Sequence, residues 1–233
     1  MPYEALKEAV WKANRDIVEA GLVVLTWGNA SGADRRDGVF AIKPSGVSYE
    51  HMQPSDMVVL SIETGEVVEG SLRPSSDTPT HLHLYRSFEA IGGIVHTHST
   101  NAVSWAQADS DLPCFGTTHA DHFHGPVPVT RRMWEDEIRS NYEHNTGVVI
   151  VERFEELGVD ALSIPAVLVA GHGPFAWGDT VESAVENAIV LEESANMAVR
   201  TLIVNRNAEP IGKALIDKHF LRKHGTDAYY GQG

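Results

Sequence analysis

Apolar residues recur at every third or fourth position in three segments of the chain, which is the spacing of a helix that packs one face on a core. Residues 4–20 carry such a stripe, and Gly21 follows it as a C-terminal stop. Residues 180–200 carry a longer stripe, and residues 133–157 predict two further helices around Gly147. We therefore expect several amphipathic helices that cover a common core.

Short apolar runs bounded by Gly, Pro and small polar residues predict the strands of a sheet. Met57 to Ile62 and Val67-Val68 flank the turn sequence Glu63-Thr64-Gly65-Glu66, so they predict a hairpin. The other predicted strands are Leu22 to Thr26, Val39 to Lys43, the run around Ile94-Val95, and Ala166 to Val169.

Three small polar loops lie beside these elements: Trp27 to Gly32, Pro44 to Gly46 and Pro74 to Asp77. Backbone N–H groups and hydroxyls in such loops can hold a phosphate, above all where a helix follows. Each loop taken alone is better explained as an ordinary turn. Lys43 beside the second loop supplies the positive charge that a phosphate needs, which favours the phosphate interpretation.

A His-x-His pair stands at the end of one predicted strand. Side chains two apart on a strand share a face, so His96 and His98 can bind one divalent metal through neutral ring nitrogens. His172, in a Gly-flanked loop after another strand, is the candidate third ligand. A His-rich site without cysteine that leaves room for substrate is typical of catalytic metal sites. The simpler alternative is that the two histidines make ordinary hydrogen bonds at a strand end and bind no metal. Only the presence of further ligands argues against it.

Other histidines are weaker candidates for metal ligands. His81 and His83 follow the helix start Asp77-Thr78-Pro79, and residues two apart on a helix point to different sides. A polar segment without a clear period contains three more, His119, His122 and His124. Asp121 in the same segment is a candidate acid or base, with helix capping as its alternative role.

The composition narrows the classes of function. The 233 residues, 42% of them hydrophobic, are enough for one large domain over 1–233. A formal net charge of −14 without a basic stripe argues against nucleic-acid or acidic-membrane binding. With Cys114 as the only cysteine, no intrachain disulfide can form. No bilayer-spanning run or signal peptide is present, so we expect a cytoplasmic protein.

Seven motifs distributed over nearly the whole chain form a recognisable set: Leu25 to Asn29, Ile42 to Gly46, Pro74 to Thr78, Gly93 to His98, Gly116 to Asp121, Gly171 to Gly178, and Arg222 to Gly225 with Tyr229 to Gly231. Together they resemble the L-ribulose-5-phosphate 4-epimerase family, within the class II aldolases of the fuculose-phosphate type. The wider group usually carries Glu where this chain has Asp77, which favours the epimerases. One departure is that His122 and His124 stand where the epimerases carry aromatic residues.

The resemblance implies an α/β fold of three layers, αβα, with a mainly antiparallel central sheet. It implies one divalent metal per subunit, Zn²⁺ first and Mn²⁺ or Co²⁺ as alternatives, with the ligands Asp77, His96, His98 and His172. The substrate would be a phosphorylated ketopentose. Its phosphate would be held by the polar loops, through Gly28, Asn29, Lys43, Ser45, Gly46, Ser75 and Ser76.

The resemblance also implies that an acid/base pair is formed by Asp121 and Tyr230. Nearby substrate contacts would come from Thr117 and His219. The tyrosine would belong to the neighbouring subunit of a homotetramer with four-fold symmetry. The tail 218–233 would therefore contribute to an active site at a subunit interface.

The implied reaction interconverts L-ribulose 5-phosphate and D-xylulose 5-phosphate. Carbon 4 is not adjacent to the C2 carbonyl, so its hydrogen is not acidic and simple proton removal cannot invert it. Retro-aldol cleavage of the C3–C4 bond, rotation of the aldehyde and aldol re-addition would do so, with the metal as Lewis acid. Such an enzyme would serve carbohydrate catabolism, of arabinose or of ascorbate.

Three other functions fit parts of the sequence. A class II sugar-phosphate aldolase of the fuculose or rhamnulose type would release its aldehyde, and Asp77 argues against it. A non-catalytic scaffold such as the adducin head would have lost the site, whereas all candidate ligands are present here. A dioxygenase with a His/carboxylate metal site leaves the phosphate-like loops without a role.

Overall fold

The computed structural model describes residues 3–225, 228 and 229. The helices formed over these residues are α1 (Glu4–Glu19), α2 (Thr78–Ser87), α3 (Thr100–Gln107), α4 (Thr117–Ala120), α5 (Glu135–Arg139), α6 (Tyr142–Leu157), α7 (Val181–Val204) and α8 (Lys213–His224), with a 3₁₀ helix at Pro54–Asp56. The strands are β1 (Gly28–Asp34), β2 (Val39–Ile42), β3 (Val58–Ser61), β4 (Val67–Glu69), β5 (Gly93–Thr97), β6 (Ala166–Val169) and β7 (Gly173–Gly178).

The seven strands form one sheet in the order β4-β3-β2-β1-β5-β7-β6, and each neighbouring pair is antiparallel. The predicted antiparallel sheet is therefore confirmed. Its register aligns His96 of β5 with Asn29 of β1 on one side and with Phe175 of β7 on the other. This alignment brings three strands that are far apart in sequence to one place at the end of the sheet.

Helices cover both faces of the sheet. Helix α1 lies on one face: a β-carbon on Gly32 of β1 would lie 3.0 Å from Val10, and Asn14 of α1 makes two hydrogen bonds of 2.9 Å with the backbone of Ala30. On the other face, Ser31 Oγ of β1 contacts two side chains of α2, His81 Nδ1 at 2.7 Å and Tyr85 Oη at 2.8 Å. The β-carbons of Ser31 and Gly32 point to opposite sides of the strand, so these helices lie on opposite faces. The three-layer arrangement is confirmed.

The predicted helices 4–20 and 180–200 correspond to α1 and α7, and the predicted hairpin is formed by β3 and β4. His81 and His83 lie on α2 and point apart, as expected, because His81 faces the sheet and His83 packs against His144 of α6. Among the helices of residues 3–225, none is long and apolar enough to cross a lipid bilayer.

Two predictions near the N-terminal part of the sheet are wrong. Leu22 to Thr26 is not a strand, and Leu25 there has a left-handed backbone with φ +58°. The segment Trp27 to Gly32, predicted as a loop, instead forms most of β1. Its small residues suit a central strand that has a hydrogen-bonded neighbour on each side and helices on both faces. The strand prediction relied on apolar runs in the sequence, whereas β1 is built from small residues that are buried between the layers.

The helix break expected around Gly147 is also misplaced. Helices α5 and α6 are separated at Ser140 and Asn141, and Gly147 lies inside α6. A β-carbon on Gly147 would lie 2.9 Å from His83 Cβ, so the glycine permits close packing of α6 on α2. The residue therefore serves a helix contact and not a helix end.

Candidate active site

Three histidines meet at one end of the sheet. His96 lies in β5, His98 follows it, and His172 lies in the turn between β6 and β7. One ring nitrogen from each lies within 4.8 Å of those of the other two. The ring centroids are 4.9 to 5.2 Å apart. Within the described residues, these three form the one compact group of potential metal ligands.

The three rings suit a divalent cation because their surroundings keep them neutral. Burial lowers the pKa of His96 and of His172 to about 3, and it also lowers the pKa of His98. His96 Nδ1 donates a hydrogen bond to the Pro174 carbonyl at 2.9 Å, so Nε2 of the neutral ring carries a lone pair. That Nε2 lies 3.2 Å from His98 Nε2, and nitrogens this close can share one metal ion.

Asp77 lies beside this group but outside its compact set of ligand atoms. It occupies the N-cap position of α2, and its Oδ2 accepts a hydrogen bond from Asn29 Nδ2 at 2.6 Å. Its negative charge raises the pKa of His98 and of His172, which partly opposes burial. Asp77 is thus oriented next to the imidazoles, and its role as fourth ligand stays a prediction.

A cavity of about 480 Å³ extends from the imidazoles to the polar loops. Its lining contains every residue predicted for the metal and for the substrate phosphate: Gly28, Asn29, Lys43, Ser45, Gly46, Ser75, Ser76, Asp77, His96, His98 and His172. Segments that are distant in sequence therefore form one pocket of a size suited to a small sugar phosphate.

One polar loop follows β2 and another precedes α2, and two backbone hydrogen bonds join them. Ser45 N–H donates to the Arg73 carbonyl at 2.9 Å, and Ser75 N–H donates to the Lys43 carbonyl at 3.0 Å. In the described part of the chain, the backbone N–H groups of Gly46 and Ser76 make no such bond. The joined loops therefore leave donors available for an anion.

Lys43 lies at the base of these loops and is only 3% exposed. Its Nζ donates to the carbonyls of Pro44 at 3.2 Å and Val47 at 2.8 Å, and it lies 4.8 Å from the ring centroid of Tyr49. Burial lowers the pKa of the Lys43 ammonium. An ammonium has three N–H donors, so one is left for a ligand. Among the described residues this buried cation contacts carbonyls and a ring but no carboxylate, so it is well suited to an anionic partner.

The first residue of β1 also contributes to the shape of the cavity. Gly28 has φ +139°, and a β-carbon there would lie 2.9 Å from the His96 carbonyl oxygen. Tyr49 Oη donates to the Gly28 carbonyl at 2.7 Å. Only glycine fits this backbone, because any side chain would collide with the strand that carries the histidines.

The cavity also contains residues that were not predicted to bind metal or substrate. Trp27, in the first predicted polar loop, lies at its rim with a half-exposed ring, and Tyr142 and Glu143 enter from the start of α6. Tyr142 Oη lies 3.3 Å from His172 Nδ1. No motif or spacing links Tyr142 or Glu143 to the histidines, so the chain pattern offered no signal for these two.

The predicted acid/base residue Asp121 lies away from the cavity of its own chain. It directly follows α4, packs against α8, and does not line the cavity, and neither does Thr117 at the start of α4. Arg222 donates to both Asp121 carboxylate oxygens at 2.9 to 3.1 Å, and His219 Nδ1 lies 3.0 Å from Oδ1. Burial favours the neutral acid, but the hydrogen bonds from Arg222 and His219 outweigh it, so the pKa of Asp121 is lowered.

The remaining candidate histidines have structural partners. His119 Nε2 donates to the Gly125 carbonyl at 2.7 Å. His124 Nε2 lies 2.7 Å from Asp217 Oδ1, and the His124 ring stacks on Phe220 at a centroid distance of 4.6 Å. His122 Nδ1 lies 3.2 Å from Asn187 Oδ1. Within the described residues, none of these three belongs to the compact group of potential metal ligands. Tyr230, the other predicted acid/base residue, lies outside the described residues.

Residues 8–199 match the family described as Class II Aldolase and Adducin N-terminal domain. The match covers most of the chain, including the three histidines, so the chain belongs to the class II aldolase and adducin family. Over 229 residues the chain is 52% identical to the L-ribulose-5-phosphate 4-epimerase UlaF of Salmonella paratyphi A, with 98% of this chain and 99% of the relative covered. The same values hold for the protein of that name from Salmonella typhi.

Solved structures of the same fold include an L-fuculose 1-phosphate aldolase at 26% identity and TM-score 0.77, which covers 92% of this chain and 94% of that chain. The L-fuculose-1-phosphate aldolase of Thermus thermophilus matches at TM-score 0.69 and 24% identity, over 88% of this chain and 98% of that chain. These likenesses agree with the three-layer fold.

Proposed function

We propose that this chain is a divalent-metal-dependent epimerase that interconverts L-ribulose 5-phosphate and D-xylulose 5-phosphate at carbon 4. The observation that carries the proposal is a single cavity in which three neutral imidazoles face a lysine-containing anion cradle. The 52% identity to L-ribulose-5-phosphate 4-epimerases over 98% of the chain supports the choice of substrate. Asp77, in place of the Glu usual in related aldolases, supports epimerisation over irreversible cleavage.

The substrate phosphate would occupy the loop end of the cavity. Lys43 supplies the charge, while the N–H groups of Gly46 and Ser76 supply directed donors. The hydroxyls of Ser45 and Ser75 complete this cradle. Because the two loops are already joined by backbone hydrogen bonds, binding the phosphate requires little reorganisation.

The ketose end would lie against the imidazoles. When bound there, a divalent cation would act as a Lewis acid and stabilise negative charge on the ketose oxygens, an effect worth several kcal/mol. Asn29 holds Asp77 through its amide nitrogen, and its buried Oδ1 has no partner among the described groups. That oxygen is available to accept a hydrogen bond from a substrate hydroxyl.

The chemistry requires cleavage of a carbon–carbon bond, because the C4 hydrogen is not acidic. A base removes the proton of the C4 hydroxyl, and the C3–C4 bond breaks to leave an aldehyde and an enediolate. Rotation of the aldehyde presents its opposite face, and re-addition gives the epimer. Inversion therefore needs a proton-transfer group on each side of the aldehyde.

Asp121 and Tyr230 are proposed for these two roles, with Thr117 and His219 as further contacts to substrate. Asp121 does not reach the cavity of its own chain, so a second copy would have to bring it there. We propose a homotetramer with four-fold symmetry in which the tail 218–233 of the domain 1–233 reaches the neighbouring cavity. His219 and Arg222 hold the Asp121 carboxylate in a fixed orientation for that purpose.

Zn²⁺ is the proposed metal, with Mn²⁺ and Co²⁺ as alternatives, since three imidazoles with one carboxylate suit all three ions. Asp77 is the proposed fourth ligand. The proposed location is the cytoplasm, because a chain with a single cysteine has no disulfide that would require an oxidising compartment.

An NMR time course of metal-loaded protein with L-ribulose 5-phosphate tests the proposal, in parallel with an EDTA-treated sample. We expect D-xylulose 5-phosphate to accumulate to a stable mixture, to be absent after EDTA treatment, and to return when metal is added. Fully metallated protein that leaves the substrate unchanged would contradict the proposed reaction.

A class II sugar-phosphate aldolase is the second candidate, because solved fuculose-phosphate aldolases share the fold at TM-scores up to 0.77. The same time course separates the two. Accumulated glycolaldehyde phosphate indicates an aldolase, whereas its absence during conversion indicates that the aldehyde is held until it is added back.

A further inference from the structure

Tyr142 lines the cavity and contacts a candidate metal ligand, yet the proposed reaction assigns it no role. Its hydroxyl lies 3.3 Å from Nδ1 of His172, and the two ring centroids are 5.9 Å apart. The contact uses the ring nitrogen Nδ1, which leaves Nε2 of His172 as the atom for a metal. Tyr142 is therefore placed to influence how His172 binds.

The contact differs in kind from the one that His96 makes. A carbonyl can only accept, so the Pro174 oxygen fixes the His96 proton on Nδ1. A hydroxyl can donate or accept, so His172 has two arrangements open to it. If Tyr142 donates, the ring proton lies on Nε2 and that atom cannot bind a metal. If Tyr142 accepts, the proton lies on Nδ1 and Nε2 offers its lone pair.

We infer that Tyr142 is a positioning residue for the metal centre. Its hydroxyl oxygen accepts the Nδ1–H of His172 and holds that ring in the tautomer and orientation that bind a divalent cation through Nε2. The hydroxyl proton is then free to donate to an oxygen of a ligand in the cavity. His98 differs from both other histidines, because its Nδ1 has no hydrogen-bond partner in the described part of the chain.

The surroundings of Tyr142 hold it in place. Its carbonyl accepts a hydrogen bond from Thr146 Oγ1 at 2.9 Å, one turn later in α6. Thr80 Oγ1 of α2 donates to the carbonyl of Glu143, which ties the start of α6 to the helix that begins after Asp77. A residue that orients a ligand needs such rigid support. The same pair of helices thus fixes Tyr142 and Asp77 relative to the histidines.

The test is the affinity for Zn²⁺ and Co²⁺ of the full chain, measured without substrate by competition with a chromophoric chelator. We expect Tyr142→Phe to bind both ions about 10- to 100-fold more weakly, the usual effect of losing such a partner. Tyr142→Gln, whose amide oxygen can accept the same hydrogen bond, is expected to retain more of the affinity. The visible absorption of bound Co²⁺ should also change in Tyr142→Phe, because the His172 ring is no longer oriented.

Tyr85→Phe is the matched control. It removes a hydroxyl that contacts Ser31 Oγ at 2.8 Å and touches none of the three candidate ligands. Its metal affinity is expected to stay within about twofold of the parent, and circular dichroism establishes that each variant is folded.

The inference rests on the proposed metal centre but not on the identity of the substrate. If the parent protein binds metal and Tyr142→Phe binds it equally well, the positioning role is overturned and the proposed reaction is untouched. If the parent protein binds no divalent metal, the proposed centre and this inference both fail. Weaker binding by Tyr142→Phe in a protein that does not epimerise the pentose phosphate would support the inference and overturn only the substrate.

Discussion

The histidine cavity and the corner between α4 and α8 differ in how their charged groups are paired. The histidine cavity holds three rings that burial keeps neutral, and it contains a lysine whose charge no carboxylate neutralises within the described contacts. The α4–α8 corner, made of Asp121, His219 and Arg222, holds a carboxylate that is already paired. The Lys43 ammonium in the cavity lacks a carboxylate partner among the described contacts, whereas the Asp121 carboxylate in the corner is paired with Arg222.

This difference indicates what each region can do. A cavity with neutral nitrogen ligands and a buried ammonium gains stabilisation when a cation and an anion bind, so it has the character of a binding site. A carboxylate with a lowered pKa stays ionised near neutral pH, and it gains little by binding a further cation. The cavity therefore has the character of a site for a cation and an anion. The paired Asp121 carboxylate is a weaker base than an unpaired one, and its role in proton transfer stays a proposal.

The largest effect should come from breaking the cavity. His96→Gln removes the buried imidazole of a proposed metal ligand. We therefore expect loss of tight metal binding and a fall in turnover of about 1,000-fold or more, since several kcal/mol of charge stabilisation are lost. Metal content and the epimerisation rate measure this. His83→Gln is the control, because His83 faces His144 on α6 and lies outside the ligand group. Equal loss in the control would contradict the assignment.

A smaller effect should come from the α4–α8 corner. Asp121→Asn keeps the shape of the side chain but removes the proton acceptor, so we expect turnover to fall about 100-fold or more while metal affinity stays within about twofold. Asp217→Asn is the control. Asp217 also lies on α8, but its carboxylate contacts Lys213 of that helix and His124, and no described contact joins it to Asp121. Full activity of Asp121→Asn would remove Asp121 from the mechanism, and loss of metal would show that the two regions are not independent.

The smallest expected effect concerns stability near the same corner. His119 is 4% exposed and burial lowers its pKa to about 4, with the Gly125 hydrogen bond opposing the shift. Because the folded-state pKa lies below the unfolded value near 6.5, the unfolded state takes up the proton first as pH falls. The contribution of His119 to the free energy of unfolding is therefore fully present above about pH 6.5 and is lost toward pH 4. The loss between pH 7 and pH 5 is about 2 kcal/mol.

Urea unfolding of the metal-free protein at pH 7 and pH 5 measures this loss. His119→Gln should lose less stability over that interval than the parent chain, because its amide does not titrate. An identical pH dependence in both proteins would mean that folding does not lower the pKa of His119.

Local patterns were sufficient to predict a large part of this molecule. Helical spacing predicted α1 and α7, and strand alternation predicted that the side chains of His96, in β5, and His98, just after it, would lie close together, as they do. Polar loops beside strands predicted most of the cavity lining, since Lys43, Ser45 and Ser75 carry their chemistry in the loop itself. These features depend on neighbours within a few residues, which the sequence displays directly.

Other features depend on contacts between distant parts of the chain, and only the tertiary structure decided them. β1 is a strand because layers cover it on both faces, although its small polar residues predicted a loop. Tyr142 meets His172 across 30 residues, and Asp121 meets Arg222 across 101 residues, in pairs that no local period encodes. The sequence by itself determined which side chains could bind metal and phosphate. Packing determined which of them are neutral, which are paired, and which helix orients them, because burial and long-range hydrogen bonds exist only in the folded chain.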